Sequence, residues 1–365
     1  MTSEQPDESP QTTWLTACVG RLTAVSLLLV LPGCGEDTLN DSPWTPTGWK
    51  QVSAGYTNTC GLRVTGEVDC WGSYSDPDKQ PISEGRKKVD PSGEYRRLSE
   101  HGASCGIRPS GALRCWGWHG KGGVDVSPEA PPNFLRVSSR LPQTCALRES
   151  GSFECWKGTW GSGRMQVWTT LHKTFEGRQI AALSVGQIPC AVSKSGNLRC
   201  WKYSPDDGDW PTAHSPLAGD FRDVSVGAHH GCALTRSSTV ECWADLPNSH
   251  PRGSGLADAP EGKFREIAAG PYHTCGLRAD RTLQCCGHGS EPGEEGSRSS
   301  GWDYNQAIPP SGTFKQISAG SRHTCGVTTA GDVECWGLGS DSDTDEDSAG
   351  KHDSRDYDQA VPPRD

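Results

Sequence analysis

The chain has 365 residues, with 45 Asp and Glu against 35 Lys and Arg, a formal net charge of −10 and a hydrophobic fraction of 33%. This acidity argues against a nucleic-acid-binding protein, because phosphate contacts need a surface rich in Lys and Arg. The 45 Gly, 26 Pro and 17 Cys fit an ordinary helical enzyme poorly, and so many cysteines require disulfides or metal to account for them.

The first predicted element is an apolar stretch at residues 22–31. Ten helical residues rise only about 15 Å, about half the hydrocarbon thickness of a bilayer, so the stretch predicts a signal-peptide core. Leu-Pro-Gly-Cys at 31–34 resembles the lipobox of bacterial lipoproteins, which implies that Cys34 is lipidated and becomes the mature N-terminus. The usual basic segment before the core is missing, and an ordinary signal peptide is the alternative. We predict a lipoprotein signal peptide at 1–33 and a linker at 34–46.

From residue 47 onward, seven pairs of cysteines with one fixed spacing, Cys-x9-Cys, organise the sequence. Successive pairs begin 40 to 50 residues apart, so the spacing within a pair is constant while the connection between pairs varies. A rigid repeated unit joined by tolerant loops has this pattern. The pairs that define units one to seven are Cys60 and Cys70, Cys105 and Cys115, Cys145 and Cys155, Cys190 and Cys200, Cys232 and Cys242, Cys275 and Cys285, and Cys325 and Cys335.

Each pair frames a predicted β-hairpin. The positions two after the first Cys and two before the second are apolar in all seven units, as one face of a strand requires. Six residues after the first Cys, a Gly such as Gly66 marks a turn with positive φ, although Ser238 and Arg281 replace it in units five and six. The two Cys then oppose each other with Cα atoms about 4.5 Å apart, within disulfide reach. Zinc is the alternative, but the chain lacks closely spaced Cys knuckles and the export signal favours oxidation.

A further strand is predicted before each pair, and in most units it ends in a Ser-Ala-Gly or similar run. Glu100 and Arg140 replace that Gly in units two and three. A Trp follows the second Cys in every unit except the sixth, where Cys286 stands as the odd thiol. We interpret Cys286 as a buried substitute for Trp, with an intermolecular bridge or exchange with Cys285 as the alternative. The strands open with Trp49, Tyr95, Phe134, Ile180, Phe221, Phe264 and Phe314.

Seven such units of about 45 residues, without an amphipathic helix, predict an all-β fold. We expect a seven-bladed β-propeller over residues 47–365, with one Cys-x9-Cys hairpin per blade. Residues 356–363 nearly repeat residues 303–310, yet no aromatic strand follows them, and the unmatched strand lies at Trp49. We therefore expect the N-terminal strand to complete the blade left open by the C-terminus, which removes exposed edges.

The pattern at 317–337, Ile-Ser-Ala-Gly-x-x-His-Thr-Cys-Gly followed by Cys-Trp-Gly, resembles the regulator of chromosome condensation repeat in the cysteine-bearing form of exported bacterial proteins. The resemblance covers about residues 45–365 and implies a seven-bladed propeller. Members of that family serve as nucleotide exchange factors, as scaffolds or, in one secreted group, as inhibitors of β-lactamase. The family's Asn-x-x-Gly-Gln-Leu-Gly stretch is not recognisable here. An exported acidic chain has no access to a cytosolic GTPase, so exchange activity is not carried over.

His230, His273 and His323 share one column, two residues before the first Cys of units five to seven. Three aligned histidines on neighbouring blades are one possible metal site. A hydrogen bond repeated inside each blade is the alternative, and Asn58 and Gln143 in the same column favour it. We therefore predict neither a metal nor a cofactor.

No Ser/His/Asp grouping, phosphate-binding Gly loop or fixed carboxylate pair recurs among the units, so the sequence favours a non-catalytic role. We expect a monomeric binding scaffold for a protein or glycan, lipid-anchored on the periplasmic or cell-surface side of the bacterial envelope, with no nucleic-acid partner. An envelope carbohydrate hydrolase or lyase that uses interblade loop acids is the alternative. Aromatic side chains on rigid loops are typical binding anchors. The predicted anchors are Trp118, Trp160, Trp168, Trp210, Trp302 and Tyr304.

Overall fold

The computed structural model describes residues 48–72, 93–99, 105–115, 133–140, 143–158, 165–168, 179–201, 216–244, 258–287, 304–338 and 360–362. The chain divides into two compact units, and the second, Thr45–Asp365, contains every described strand. All regular elements in the described ranges are β-strands. None of these residues belongs to a helix that is long and apolar enough to cross a membrane.

Twenty-two described strands form seven antiparallel sheets, one for each unit. In chain order they are β1 Trp49–Ala54, β2 Asn58–Arg63, β3 Val68–Gly72, β4 Arg97–Leu98, β5 Cys105–Ile107, β6 Leu113–Cys115, β7 Phe134–Arg140, β8 Gln143–Arg148, β9 Phe153–Gly158, β10 Met165–Trp168, β11 Ile180–Val185, β12 Pro189–Ser193, β13 Leu198–Cys200, β14 Phe221–Val226, β15 His230–Thr235, β16 Val240–Ala244, β17 Phe264–Ala269, β18 His273–Arg278, β19 Leu283–Gly287, β20 Phe314–Ala319, β21 His323–Thr328 and β22 Val333–Gly337. Strands adjacent in sequence are adjacent in each sheet, and β10 adds a fourth strand to the third sheet. The predicted all-β fold is confirmed.

The two cysteines of every pair face each other across the second and third strands of their sheet, and all seven pairs form disulfides with Cα atoms 3.9 to 4.0 Å apart. The bonded pairs are Cys60 with Cys70, Cys105 with Cys115, Cys145 with Cys155, Cys190 with Cys200, Cys232 with Cys242, Cys275 with Cys285, and Cys325 with Cys335. The disulfide prediction is confirmed, and zinc is excluded as the partner of these sulfurs. Because disulfides of this number persist in oxidising compartments, the protein belongs to an oxidising, extracytoplasmic environment.

The two ends of the disulfide differ in burial in four of the seven sheets. The first cysteine of every pair is buried, because it lies in the middle strand of its sheet. The second cysteine lies on the third strand, and it is buried in the second to fourth sheets, at Cys115, Cys155 and Cys200. It is partly exposed in the other four sheets, at Cys70, Cys242, Cys285 and Cys335. The sequence spacing predicted the pairing but gave no sign of this difference.

The hairpin turns have the backbone conformation that the glycine column predicted. Gly66 has a φ of 93°, and the two replacements of the Gly keep the same sign, with φ of 69° at Ser238 and 71° at Arg281. The turn is therefore set by the register of the hairpin, and a side chain is accommodated there at the cost of a strained backbone.

A chain of backbone hydrogen bonds joins the seven sheets into a ring. The N–H of the residue that opens each sheet donates to the hairpin turn of the sheet before it, as Tyr95 does to the Gly66 carbonyl at 2.8 Å. The last bond returns to the start, from the Trp49 N–H to the Gly331 carbonyl at 2.7 Å. The other bonds run from Phe134 to Gly111, Ile180 to Gly151, Phe221 to Gly196, Phe264 to Ser238 and Phe314 to Arg281.

Apolar clusters fill each of the seven spaces between neighbouring sheets, including the space between the last sheet and the first. The aromatic or aliphatic residue that opens each sheet is buried in this core, as is Trp71 from the Trp column. Its ring meets that of Trp49 edge to face, with centroids 6.0 Å apart. The core of the molecule therefore lies between the sheets, which is the arrangement of a propeller.

The ring closes between the N-terminal strand and the last sheet, but not by the strand pairing that we expected. Strand β1 pairs with β2 in its own sheet, because the short turn after it places its hairpin alongside. Closure instead uses side chains of β20: the Val52 N–H donates to Gln316 Oε1 at 2.8 Å, and the Ala54 N–H donates to Ser318 Oγ at 2.9 Å.

Candidate functional site

In the first and the fourth to seventh sheets, short turns join the first and second strands, and these turns lie next to one another at one end of the ring's axis. A Cβ atom placed on Gly186 would lie 2.1 Å from the Gly227 carbonyl oxygen, and one on Gly227 would lie 2.1 Å from that of Gly270. A Cβ atom on Gly270 would lie 2.6 Å from the Gly320 carbonyl oxygen, and one on Gly320 would lie 2.7 Å from that of Gly55. In the fourth to seventh sheets, the glycine that ends the first strand therefore allows neighbouring backbones to approach more closely than any side chain would permit.

Arg140 occupies this glycine column in the third sheet and brings a long cationic side chain to the axis. Burial lowers the pKa of Arg140 to about 10, and Tyr272 of the sixth sheet opposes this shift. The Arg140 charge also acts on His230 of the fifth sheet, where it adds to burial in lowering the pKa of the imidazole. Arg140 therefore remains a cation at neutral pH while being largely withdrawn from water.

A second cation, Arg322, lies in the turn of the seventh sheet and is 7% exposed. Its guanidinium carbon is 6.0 Å from the ring centre of Tyr56 and 5.6 Å from that of Tyr304. Both distances allow cation–π attraction, so the two rings hold the guanidinium in place. Tyr56 is 60% exposed and presents its ring at the open end of the axis.

His229 and Tyr272, from the turns of the fifth and sixth sheets, stack with ring centroids 5.0 Å apart and an interplanar angle of 29°. Burial raises the pKa of Tyr272, and Tyr56 raises it further, while Arg140 and Arg322 oppose the shift. The Tyr272 phenol is therefore protonated at neutral pH and can donate a hydrogen bond.

These side chains form one group, which we call the axial cluster. Among the described residues, no carboxylate is one of the groups that shift the pKa values of Arg140 and Tyr272. The cluster therefore brings two arginines and three tyrosines together with a histidine at this end of the ring. Its members are Tyr56, Arg140, His229, Tyr272, Tyr304 and Arg322.

The histidine column lies just beneath the axial cluster and bonds neighbouring sheets to one another. His230 Nε2 is 2.6 Å from Thr274 Oγ1 of the next sheet, and His323 Nε2 is 2.7 Å from Thr59 Oγ1 across the ring closure. His273 makes the same bond to the seventh sheet. The hydrogen bond is therefore repeated between blades, and not inside each blade as we expected. Within the described part of the chain, no three His, Cys, Asp or Glu side chains are grouped as a metal site requires.

A column of serines, which was not among the predicted site residues, also bonds neighbouring sheets to one another. The Ser that begins the Ser-Ala-Gly or similar run accepts a hydrogen bond from a backbone N–H of the next sheet: Val226 donates to Ser184 at 2.9 Å and Ala269 donates to Ser225 at 2.8 Å. The signal in the sequence was the recurrence of a small polar residue in an apolar strand. Ala268 replaces this Ser in the sixth unit.

Of the predicted aromatic anchors, the structure brings Tyr304 to the axial cluster. Trp168 lies in the outer strand β10 of the third sheet. The remaining anchors, and the predicted lipidation site Cys34, lie outside the described residues and stay predictions. The remaining anchors are Trp118, Trp160, Trp210 and Trp302.

Cys286 is the free cysteine among the described residues, and it is half-buried in the Trp column of the sixth sheet. Its thiol donates to the Asp258 carbonyl at 3.2 Å. Burial, and then the charge of Asp258, raises the pKa of Cys286 to about 11. This environment fits the substitute for Trp that we predicted, although the side chain is less buried than Trp71, Trp201, Trp243 and Trp336 in the same column.

The regulator of chromosome condensation (RCC1) repeat matches residues 49–75, 264–291 and 314–342, in the first, sixth and seventh units. The chain is an RCC1-like β-propeller. The predicted family of repeats is confirmed for these three units, and no curated protein sequence matches the chain.

Solved structures similar to this RCC1-like propeller include the CRINKLY WD40 ectodomain of the Arabidopsis thaliana receptor kinase ACR4, with 22% identity, coverage of 81% of this chain and 99% of that one, and a TM-score of 0.53. The ectodomain of the Physcomitrella patens receptor kinase CR4 has 20% identity, coverage of 80% and 74%, and a TM-score of 0.53. Yeast RCC1 (Prp20), in its complex with Kap60, has 16% identity, coverage of 86% and 74%, and a TM-score of 0.48. The likeness to the two plant ectodomains concerns the fold alone.

Proposed function

We propose that this RCC1-like propeller is a non-catalytic binding scaffold that is anchored to the bacterial cell envelope by a lipid on Cys34 and binds a protein or a glycan. The observation that carries the proposal is the combination of a closed, disulfide-bonded ring with a group of cationic and aromatic side chains at one end of its axis. Rigid scaffolds that present Tyr and Arg side chains are typical of binding surfaces.

The disulfides support this role because they hold the hairpins that frame the binding end. In the chain-entropy model, closing an eleven-residue loop contributes about 2.8 kcal/mol for each disulfide, before the order already present in the hairpin is considered. A surface held in this way loses little conformational entropy when a partner binds. The extracytoplasmic environment that the disulfides indicate agrees with an exported protein.

The direction of the strands brings the end of the third strand toward the axial cluster in two sheets. Gly72 pairs with Asn58 at the end of the first sheet, and Gly337 pairs with His323 in the seventh. The third strand of these two sheets therefore ends beside the turn between the first and second strands. Variable loops around a fixed centre are how a propeller acquires specificity.

The test is crosslinking in intact cells followed by affinity purification of the full chain, with Cys34→Ser as the matched variant. We expect the wild-type chain to remain with membranes and to crosslink to a defined partner, and the variant to be released from the membrane fraction. A glycan array combined with an activity screen completes the experiment. Turnover of an envelope carbohydrate without stable capture would contradict the scaffold proposal and favour the hydrolase or lyase alternative.

A further inference from the structure

The second residue of the first strand is a cation in five successive sheets around the ring. The large residue that opens the strand is buried, and because successive side chains of a strand point to opposite faces, the next one is turned out of the core. Leu135 and Ala181 occupy this position in the third and fourth sheets, so no acid stands in the column. We call the five cations the cationic arc. From the fifth sheet, through the ring closure, to the second sheet they are Arg222, Arg265, Lys315, Lys50 and Arg96.

The cationic arc lies at the end of the ring that carries the hairpin turns, opposite to the axial cluster. Each first strand begins beside the hairpin turn of the sheet before it, as the bond from the Trp49 N–H to the Gly331 carbonyl shows. The Lys315 side chain reaches the hairpin turn of its own sheet, where a Cβ atom on Gly331 would lie 3.7 Å from its Nζ. Arg96 is half-buried, and the other four members are exposed at this end.

Neighbouring sheets hold two members of the arc in place and leave their charge intact. The Arg222 Nη2 donates to the Phe264 carbonyl of the next sheet at 3.0 Å, and the Arg96 guanidinium donates to the Phe134 carbonyl in the same way. A carbonyl is a neutral acceptor, so these bonds fix the side chains without cancelling the positive charge. The arc is therefore a row of like charges whose summed potential attracts an anionic partner.

Exposed acids also occur at this end, in the hairpin turns and in the segments before the first strands. Asp220 is one of them, and it is paired with Arg236 outside the arc, at 2.7 Å. Glu67, Asp280 and Asp332 lie in hairpin turns, which join the second and third strands. The arc belongs to the first strands, through which neighbouring sheets bond to one another, and so it lies nearer the axis than these turns.

The chain enters the ring at the same end. The Val64 N–H, in the first hairpin turn, donates to the Gly48 carbonyl at 3.1 Å, and the Trp49 N–H donates to the hairpin turn of the seventh sheet. The predicted lipidation site, Cys34, precedes Gly48 by fourteen residues, which span about 48 Å at full extension. A lipid on Cys34 would therefore tether the ring by the end that carries the cationic arc.

We propose that the cationic arc contacts the anionic phospholipid headgroups of the membrane that holds the lipid of Cys34, so that the axial cluster faces away from the bilayer. This inference rests on the proposed lipid-anchored scaffold and assigns its orientation. Basic residues near an anionic membrane surface each add to the attraction. Five charges that follow an arc and face outward suit an extended layer of headgroups, whereas a single soluble anion is bound by cations that converge on it.

The charge of the whole chain supports the same orientation. The formal net charge is −10, so an anionic membrane repels the molecule as a whole and attracts it where cations are gathered. A binding surface at the axial cluster would then remain open to a partner outside the membrane. The lipid supplies attachment in this arrangement, and the cationic arc supplies direction.

The experiment measures cosedimentation of the full, oxidised chain carrying Cys34→Ser with vesicles of phosphatidylcholine that contain 30% phosphatidylglycerol, and compares vesicles of phosphatidylcholine alone. The neutral vesicles account for binding through the apolar stretch at 22–31. We expect tighter binding to the anionic vesicles, and we expect the difference to disappear in 0.5 M salt, because salt screens exposed charges. Arg265→Gln is expected to weaken binding to the anionic vesicles about fivefold.

The ring offers matched variants for this test. Arg199→Gln removes the same charge from the middle of β13, in the third strand of the fourth sheet, and should leave vesicle binding unchanged. Leu135→Lys adds a cation to the column at a position that is 41% exposed, and should strengthen binding about fivefold. Equal weakening by Arg265→Gln and Arg199→Gln would overturn the proposal, because it would show attraction to net charge alone. An unchanged affinity in Leu135→Lys would overturn it as well.

Two further outcomes separate this inference from the scaffold function. Equal binding to anionic and neutral vesicles, with the wild-type chain still released from the membrane fraction by Cys34→Ser, would refute the orientation and leave the lipid-anchored scaffold standing. An octaglutamate peptide that binds with the same dependence on Arg265, where the anionic vesicles do not bind, would overturn the membrane assignment in favour of an acidic protein partner.

Discussion

The histidines between the blades make the stability of the ring depend on pH. Burial lowers the pKa of His230 to about 4, with Arg140 and His229 adding to the effect, and burial lowers the pKa of His323 to about 3. An unfolded histidine has a pKa of about 6.5. Because the folded pKa values lie below the unfolded value, the folded ring favours the neutral imidazoles. Their contribution is complete above pH 6.5 and is lost as the pH falls toward the folded pKa values.

The size of this loss follows from the shifts. As the pH falls from 8 to 5, each histidine lowers the free energy of unfolding by about 2 kcal/mol, because its imidazole binds a proton in the unfolded chain but not in the folded chain. The two together give about 4 kcal/mol, a large fraction of the stability of a typical domain. Both imidazoles bond through Nε2 to a threonine hydroxyl of the neighbouring sheet, His230 to Thr274 and His323 to Thr59.

The pH dependence is tested with the double variant His230→Gln, His323→Gln. Each amide side chain can still form a hydrogen bond, but it does not bind a proton in this pH range. Gln143 already occupies this column in the third unit. Guanidinium denaturation of the oxidised chain, followed by Trp fluorescence at several pH values, should show a loss between pH 8 and pH 5 that is about 4 kcal/mol smaller in the double variant than in the wild type. His352→Gln serves as the control for a histidine outside the column. If the double variant lost as much stability as the wild type, the assignment of the pH dependence to these two residues would be refuted.

Three further predictions concern other columns of the repeat. Ser238→Gly and Arg281→Gly are each expected to raise the free energy of unfolding by about 1 kcal/mol, measured by denaturation, because both positions have positive φ. Ser184→Ala is expected to lower it by about 1 to 3 kcal/mol and to speed hydrogen exchange at Val226, whose N–H loses its acceptor. The Cys286 thiol should react slowly with a thiol reagent at pH 8 and quickly after denaturation, because burial raises its pKa to about 11.

Each of these predictions has a matched variant or a contrary outcome. Gly66→Ala, at a φ of 93°, should destabilise where the reverse substitutions stabilise. Ala268→Ser supplies the serine that the sixth unit lacks and should slow hydrogen exchange at Ala319, the corresponding position of the next sheet. Rapid modification of native Cys286 at pH 8 would contradict the buried environment that raises its pKa.

The local pattern along the chain is enough to specify the repeated hairpin and its disulfide. Strand parity places Cys60 opposite Cys70 once a turn is centred near Gly66, and this requires only residues that are close along the chain. The same argument gives the positive φ of Ser238, since the register of the hairpin imposes the turn whatever residue occupies it. The sequence predicted the closure of the ring less completely. The pairing of β1 is decided by contacts between the two ends of the repeat array, and these cannot be read from neighbouring residues.

What the repeats build together depends on contacts between sheets that are distant in the sequence. Arg140 appears in the sequence as an exception to a glycine column, and only the folded ring brings its charge within electrostatic range of Tyr272 in the sixth sheet. The bonds from the histidine and serine columns likewise lead to the next sheet and not to their own. The physical reason is that a β-hairpin is specified by alternation and local covalent reach. The surroundings of a side chain at the axis, by contrast, depend on how many sheets stack, at which angle, and where the ring closes.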